Sequence, residues 1–525
     1  MIGDTWYKTP AQLVRKGLVA IDSQNASLIG AKKLGTADYA VPSSTVLYVS
    51  VTGNDSNPGT LDSPKATLNA ATDASVNGDT IVIRGGEYYQ NIPSGLYKSI
   101  TIQNYPGEAV WFDGSEVVTG WSGSAPWVKT WTIEHDHSTS FTQGDTSTRW
   151  INPSYPLAAW PDMLFVDGVR QTLVDPSTTP TTGQWCHNYA TNQIKLGTDP
   201  VGKEIRVATL ERFAILKNPD TIIRGIGIRR YATGLSQIGT IFGSSTGPRV
   251  TVENCWMVDC GQQSLSLSGD GSTVRSTSII RPGCTGFHSS SANDITAASI
   301  WVDESNYRNF NNEPAAAAIK LTEQRDCLIT QSIFTNGNSY GVWFDTDTIN
   351  ITVTHNKVTN HAGKGILIEA GHNCIVAGNY VNNAPFGIMN TISSDWRAWN
   401  NQVDNTTNFD IGASQDARRN TNPATMAECP WIITNAEIVN NVFTFKQGTS
   451  GHLFQAYALD KQSNIPAEDM VSLIAGNLFS SSNGGTESNR MIGWGRDDNV
   501  TVAIYKTPAA FKAGVCRWPQ LGITR

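Results

Sequence analysis

Two acidic residues set the chemistry. Asp345 closes the segment Gly341-Val342-Trp343-Phe344-Asp345, and Glu369 closes Gly365-Ile366-Leu367-Ile368-Glu369, 24 residues further on. If both segments are strands of one parallel sheet, aligning Gly341 with Gly365 sets the two acids side by side. Equivalent positions on adjacent strands lie about 4.8 Å apart. Two carboxyls stacked there sit at about 5–5.5 Å, the separation at which one attacks an anomeric carbon and the other protonates the leaving oxygen. A pair that activates a water directly needs roughly 6.5–9.5 Å. The spacing therefore predicts a double displacement.

The neighbours fit the same division of labour. One rung back, by the spacing of Gln331 to Asn356, Lys320 falls near the Asp345 position. A cation there keeps Asp345 ionised, as a nucleophile requires. Glu369, facing like charge, is expected to hold its proton more tightly, as a general acid requires. Asp347 follows Asp345 by two residues, which on a continued strand places both on one face. Glu313, in Asn312-Glu313-Pro314 ahead of a run of alanines, precedes the neighbouring strand and could reach the same patch. Like charges on adjacent strands destabilise a sheet, so such a column suggests a use. The plainer reading makes these acids solvated residues at strand ends. A calcium site is a third reading, but the chain has no DxDxDG loop. The expectation is no metal and no cofactor.

Other residues are weaker candidates. Trp121 or Trp160 could stack on a sugar, although core packing is the ordinary fate of either. Asp395, Arg397 and the run Asp416-Ala417-Arg418-Arg419 could border a cleft. His288, His355, His361 and His372 have turn-like neighbours and are expected to be solvated.

Strands must position these groups, and the middle of the chain repeats as a solenoid does. Gln331-Ser-Ile-Phe, Asn356-Lys-Val-Thr, Asn379-Tyr-Val-Asn, Asn401-Gln-Val-Asp, Asn441-Val-Phe-Thr and Asn477-Leu-Phe-Ser recur, at spacings of 25, 23, 22, 40 and 36 residues. The two widest gaps imply longer loops. Gly341, Gly365 and Gly387 open a second element in step with the first. Short β-branched and aromatic runs bounded by Asn and Gly are strands. No amphipathic helix separates them, so βαβ units are excluded. Asparagine suits the corners because it tolerates left-handed backbone and its amides stack in ladders.

The organisation expected is all-β. Residues 45–114 form the first coils, with a short helix from about Lys65 to Ala74. Residues 115–212 are rich in Trp, Thr and Pro, lose the rung pattern, and are expected to form an inserted small β-sandwich. There Met163-Leu-Phe-Val-Asp-Gly-Val reads as a hairpin, and segments at Ile194 and Ile205 as strands. Residues 213–525 carry the main coils. Residues 1–44, with a helix over Ala11–Ala20, serve as a cap, since solenoid ends need covering, or as an anchor to a larger assembly.

Composition narrows the function. The chain has 525 residues, 16% of them charged, 47 Gly and a net charge of −7. That gives no general attraction to nucleic acid or anionic membranes. No apolar run is long enough to cross a membrane. Eight Cys form no CxxC pair and are expected to be buried small side chains. The N-terminus lacks the apolar core of a secretory signal. The expected setting is nevertheless extracellular or virion-associated, by another export route.

Two resemblances follow. Residues 45–114 resemble the start of pectate-lyase-like, right-handed parallel β-helix proteins. The inserted domain together with Val342-Trp-Phe-Asp345-Thr-Asp347, followed one coil later by Gly365-Ile-Leu-Ile-Glu369, resembles glycoside hydrolase family 120, the β-xylosidases. Membership implies a β-helix with an inserted β-sandwich. It implies Asp345 as nucleophile and Glu369 as acid/base, with Asp347 and Glu313 lining the sugar site. The expected function is a retaining glycoside hydrolase on pentose glycosides, xylose- or arabinose-type, with a carbohydrate substrate and a homo-oligomer as an option. Two alternatives stay open. One is a polysaccharide lyase, with Lys320, Arg397 or Arg418 as base. The other is a non-catalytic glycan-binding tail protein.

Overall fold

The computed structural model describes residues 29–445, 454–460, 465–481, 492–495, 502–505 and 508–515. The expected helix at Ala11–Ala20 and Cys516 lie outside them. The chain divides into two compact units. One, here the C-terminal unit, comprises Met1–Gly30, Ser289–Asp303 and Ala317–Arg525. The other, the N-terminal unit, comprises Ala31–His288 and Glu304–Ala316.

The C-terminal unit is a parallel β-helix of three sheets. The first stacks Thr296–Ala298, Leu328–Thr330, Thr352–Thr354, Ile375–Ala377, Arg397–Trp399, Ala436–Val439 and Val471–Ala475. The second stacks Trp301–Asp303, Ile333–Thr335, Lys357–Thr359, Tyr380–Asn382, Gln402–Asp404, Val442–Phe445 and Leu478–Ser481. The third, which carries Asp345 and Glu369, stacks Ala317–Thr322, Tyr340–Asp345, Lys364–Glu369, Phe386–Thr391, Phe409–Gln415, Phe454–Asp460 and Ile492–Gly495. Strands Ile333–Thr335, Tyr340–Asp345 and Lys364–Glu369 each turn one or two apolar side chains inward. Val342 and Phe344 sit in register with Ile366 and Ile368, and all four are fully buried beside Val353, Val358 and Val381. This stack of identical layers replaces the single core of a globular domain.

Asparagine amides tie the layers together. Asn356 donates through Nδ2 to Oδ1 of Asn379, Asn379 to Asn401, Asn401 to Asn441 and Asn441 to Asn477, each at 3.0 Å. The expected ladder is thus present, with one correction. Its next position is Ser332, whose backbone N–H donates to Asn356 Oδ1 at 3.0 Å, and not Gln331. Gln331 takes the preceding left-handed corner, φ 50°. A second ladder at exposed left-handed corners runs Asn383 to Asn360 to Asn336. The glycines opening the third-sheet strands are imposed by the stacking. A Cβ on Gly341 would fall 2.4 Å from the Gly365 carbonyl oxygen, and one on Gly365 would fall 2.7 Å from that of Gly387.

The N-terminal unit repeats this architecture. Thr80–Ile83, Thr101–Asn104, Ile222–Arg224, Thr251–Glu253 and Thr273–Arg275 pair in parallel. The helix expected from Lys65 begins later and spans Leu68–Ala74, because Thr67 caps it by accepting from the Ala70 N–H and Lys65 bridges to Val49. Between Ser115 and Ala208 lie two four-stranded sheets. Leu164, Val166, Ile205 and Val207 of one share a core with Trp185, Ile194 and Leu196 of the other. Leu164–Val166 and Val169–Arg170 form the hairpin, turned by Asp167 and Gly168 at positive φ, the Asp-Gly signature of a tight hairpin turn.

The seven described cysteines are buried. Two histidines correct the expectation of solvated rings: His288 and His361 are buried. His288 is covered by Phe141, ring centroids 5.4 Å apart, and burial pushes the His361 imidazole down to about 4.

Candidate functional site: a paired carboxylate on the third sheet

Strand alternation sends Val342 and Phe344 inward, so Trp343 and Asp345 face outward. Ladder pairing runs Val342 to Ile366, Trp343 to Leu367 and Phe344 to Ile368. The next position brings Asp345 beside Glu369, the register read from the two glycines. Both close to the surface of an apolar patch made by Tyr340, Trp343, Leu367, Met389 and Phe409. Their side chains stay partly open, 19% for Asp345 and 10% for Glu369.

Lys320 reaches Asp345, but not from the predicted position. Its register partner is Trp343, and Thr322 pairs with Asp345. The coil step is 24 residues along the second sheet, Ile333 to Lys357, and 23 along the third, Lys320 to Trp343, two fewer than the 25 from Gln331 to Asn356. The Lys320 stem instead crosses Trp343, with Nζ 3.3 Å from the ring centroid, and Nζ donates to Asp345 Oδ2 at 3.0 Å. A cation held against both an indole face and a carboxylate in a nearly dry setting is fixed in place. Thr346 Oγ1 donates to the other oxygen of Asp345 at 3.2 Å.

Glu369 lies in a different environment. Trp343 Nε1 donates to Oε2 at 3.2 Å, and Arg418 Nη2 donates to Oε1 at 2.6 Å. Burial raises its pKa first, and the Asp345 charge raises it further, against the opposing pull of Arg418 and Lys364. The net direction is upward. One carboxylate thus carries a buried ammonium while its neighbour holds a proton more tightly than usual, the division between nucleophile and acid.

The alkaline limb of a pH–rate profile reports loss of the acid's proton. Arg418→Gln removes a group that favours the ionised form of Glu369, so this limb is expected to move to higher pH. A role for Arg418 in folding alone would lower the rate without moving the limb.

Asp347 is corrected by the structure. Thr346 and Asp347 both have positive φ, 52° and 53°, so the chain turns instead of continuing as a strand. The Asp347 carboxylate accepts from Asn420 Nδ2 at 2.7 Å and Trp431 Nε1 at 2.9 Å on one oxygen. On the other it accepts from Thr425 Oγ1 at 2.6 Å and Asn422 Nδ2 at 3.3 Å. Four donors fill the four acceptor sites of a carboxylate. Asp347 therefore anchors the 416–431 loop, and that loop delivers Arg418 to Glu369. This loop fills the 40-residue gap between Asn401 and Asn441.

Trp121 and Glu313 belong to the N-terminal unit, and Asp395 and Arg397 to the first sheet and the corner before it. Trp121 packs against the sandwich core and donates through Nε1 to the Val118 carbonyl at 3.1 Å, which accounts for it without a ligand. Glu313 belongs to the N-terminal unit, exposed in the short turn Asn312–Ala315. Asp395 occupies a left-handed corner leading to the first sheet, where it accepts from Asn435 Nδ2 at 3.2 Å. Arg397 donates to Asn373 Oδ1 at 2.6 Å. Trp343 as a hydrogen-bond donor to the acid was not anticipated, since a Trp in a strand reads first as core.

A second polar cluster also escaped the sequence reading. In the N-terminal unit, buried Asp162 accepts from Tyr189 Oη at 2.7 Å and lies 2.9 Å from His187 Nδ1 and 3.1 Å from His137 Nε2. His137 stacks on Trp160, ring centroids 4.4 Å apart. The pattern His135-Asp136-His137 was its only signal. Among the described residues, no group of three or more His, Cys, Asp or Glu is placed to hold a metal.

Comparison with known proteins agrees on architecture. Residues 239–408 match the family described as right-handed beta helix region. An uncharacterized protein of Bacillus subtilis (strain 168), YwoF, is 37% identical over 91 residues, 17% of this chain and 18% of that protein. Pectate lyase PEL9 of Emericella nidulans is 36% identical over 77 residues, 14% of this chain and 19% of that enzyme. The matched stretch thus spans less than a fifth of either relative. Among solved structures, the complex of XylC with xylose superposes with a TM-score of 0.57 at 13% identity, over 84% of this chain and 86% of that one. The chain is a right-handed parallel β-helix protein.

Proposed function

We infer that this protein is a retaining glycoside hydrolase acting on pentose glycosides. The observation that carries the reading is the adjacency of Asp345 and Glu369 at one level of neighbouring strands, Asp345 bonded to the Lys320 ammonium and Glu369 buried so that it holds its proton more tightly. In the first step an Asp345 oxygen bonds to the anomeric carbon as the bond to the leaving oxygen breaks. Glu369 gives its proton to that oxygen. In the second step Glu369, now ionised, takes a proton from water. The resulting hydroxide displaces Asp345 from the anomeric carbon, which restores both groups. Lys320 holds and aims the Asp345 carboxylate through the Nζ–Oδ2 hydrogen bond, and Trp343 orients Glu369. The xylose-bound structure that shares the fold supports a pentose in the sugar site.

A lyase is the second reading, favoured by the local similarity to a pectate lyase. It requires a free base to abstract a proton beside a uronate carboxyl. Lys320 is paired with Asp345, and Arg418 with Glu369 and Asp416, so both cations are engaged as charge partners. The readings separate on a panel of nitrophenyl pentosides and hexosides run beside polyuronates. Nitrophenolate release from a pentoside is the expected result. Ultraviolet absorbance from an unsaturated uronide, with no nitrophenolate, would favour the lyase.

A further inference from the structure

We propose that the leaving-group side of this site binds an acidic sugar, a uronate whose carboxylate is held by Arg418. The proposal rests on the glycosidase reading above and names the substrate class on one side of it. The acid of a double displacement stands against the leaving oxygen, so the group flanking Glu369 from solvent faces the leaving sugar. That group is the Arg418 guanidinium, whose side chain is 49% exposed.

Its hydrogen bonding has a vacancy for an anion. Nε lies 3.1 and 3.0 Å from the two Asp416 oxygens, and Nη2 serves Asp416 at 2.7 Å and Glu369 at 2.6 Å. Among the described residues Nη1 donates to nothing. When Glu369 takes the proton it must later transfer, its charge disappears and Nη2 loses one of its two anionic partners. A planar carboxylate matches the Nη1–Nη2 edge of a guanidinium by two parallel hydrogen bonds, which a neutral hydroxymethyl group cannot make. Asp416 and the Asp347-anchored loop hold Arg418 in position throughout, so the edge is preorganised.

The test measures binding of glucuronate and of glucose to the full-length protein by NMR titration at mildly acidic pH, which is independent of turnover. Glucuronate is expected to bind at least about 10-fold more tightly, as a charge-assisted pair implies. Arg418→Gln should erase that preference and Arg418→Lys should retain part of it. Equal affinities in the wild type, or a preference that survives Arg418→Gln, would overturn the proposal. The two readings fail separately. Glucuronate preference without cleavage of any glycoside would end the hydrolase assignment and leave the anionic subsite standing. Cleavage without the preference would do the reverse.

Discussion

Asp345→Asn will lower kcat/KM by about 10⁴-fold or more on the glycosides this protein cleaves, a loss typical of removing a nucleophile. The amide matches the carboxylate in shape but cannot form the bond to the anomeric carbon. It also leaves the Lys320 ammonium, now 3.0 Å from Asp345 Oδ2, facing a neutral group in a nearly dry pocket. Glu369→Gln behaves differently. Loss of a general acid costs about 10²–10⁴-fold when the leaving group needs a proton, and far less when it is an acidic phenol. The two variants therefore separate on a series of aryl glycosides. Asp345→Asn falls by a similar factor throughout, while the Glu369→Gln deficit shrinks as the leaving phenol becomes more acidic. A uniform deficit for both would deny Glu369 its acid role.

The second large effect is structural. Asn379→Ala is expected to destabilise the C-terminal unit by about 3–5 kcal/mol. Asn379 is fully buried, and its amide serves both neighbouring coils. Oδ1 accepts from the backbone N–H and the Nδ2 of Asn356, each at 3.0 Å. Nδ2 donates to the Val353 carbonyl at 2.9 Å and to Asn401 Oδ1 at 3.0 Å. Alanine leaves the Asn356 N–H without an acceptor where water cannot replace it. Asn383 provides the comparison: its amide bonds Asn360 Oδ1 at 2.8 Å on an exposed corner. Asn383→Ala should cost about 1 kcal/mol, chiefly for placing alanine in left-handed backbone. Chemical denaturation followed by far-ultraviolet circular dichroism compares the two. Similar midpoints would show that the interior ladder does not hold the coils together.

The fold was legible because repetition multiplies a weak signal. A single Asn-x-Val-x or Asn-x-Phe-x segment says little, but five in step predict parallel strands, and the buried Asn ladder follows from the same spacing. Register was legible where glycine marks it: a Cβ at Gly341 or Gly365 collides with the next coil, so these positions cannot slip. It was not legible at Gln331, where Gln and Ser stand in place of Asn: the coil step counted from Gln331 to Asn356 is 25 residues, but it is 24 along the second sheet and 23 along the third, and that two-residue difference separates Trp343, the register partner of Lys320, from Asp345. The long Lys320 stem happens to span the difference. Asp347 misled for another reason. Two residues along a strand share a face, but the strand ends at Asp345, and only coordinates show the two left-handed residues that follow. Arg418 was visible as a charge run in an unusually long gap, without anything to show that Asp347 anchors its loop or that Glu369 receives it.

The account stands on Asp345 and Glu369 working as a pair across one strand-to-strand step. Proton NMR of the sugar released in the first moments of cleavage, before mutarotation, tests it most directly. The account predicts that the new hemiacetal carries the same anomeric configuration as the glycoside consumed. Release of the opposite anomer would mean that water attacks directly, and that Asp345 never bonds to the sugar.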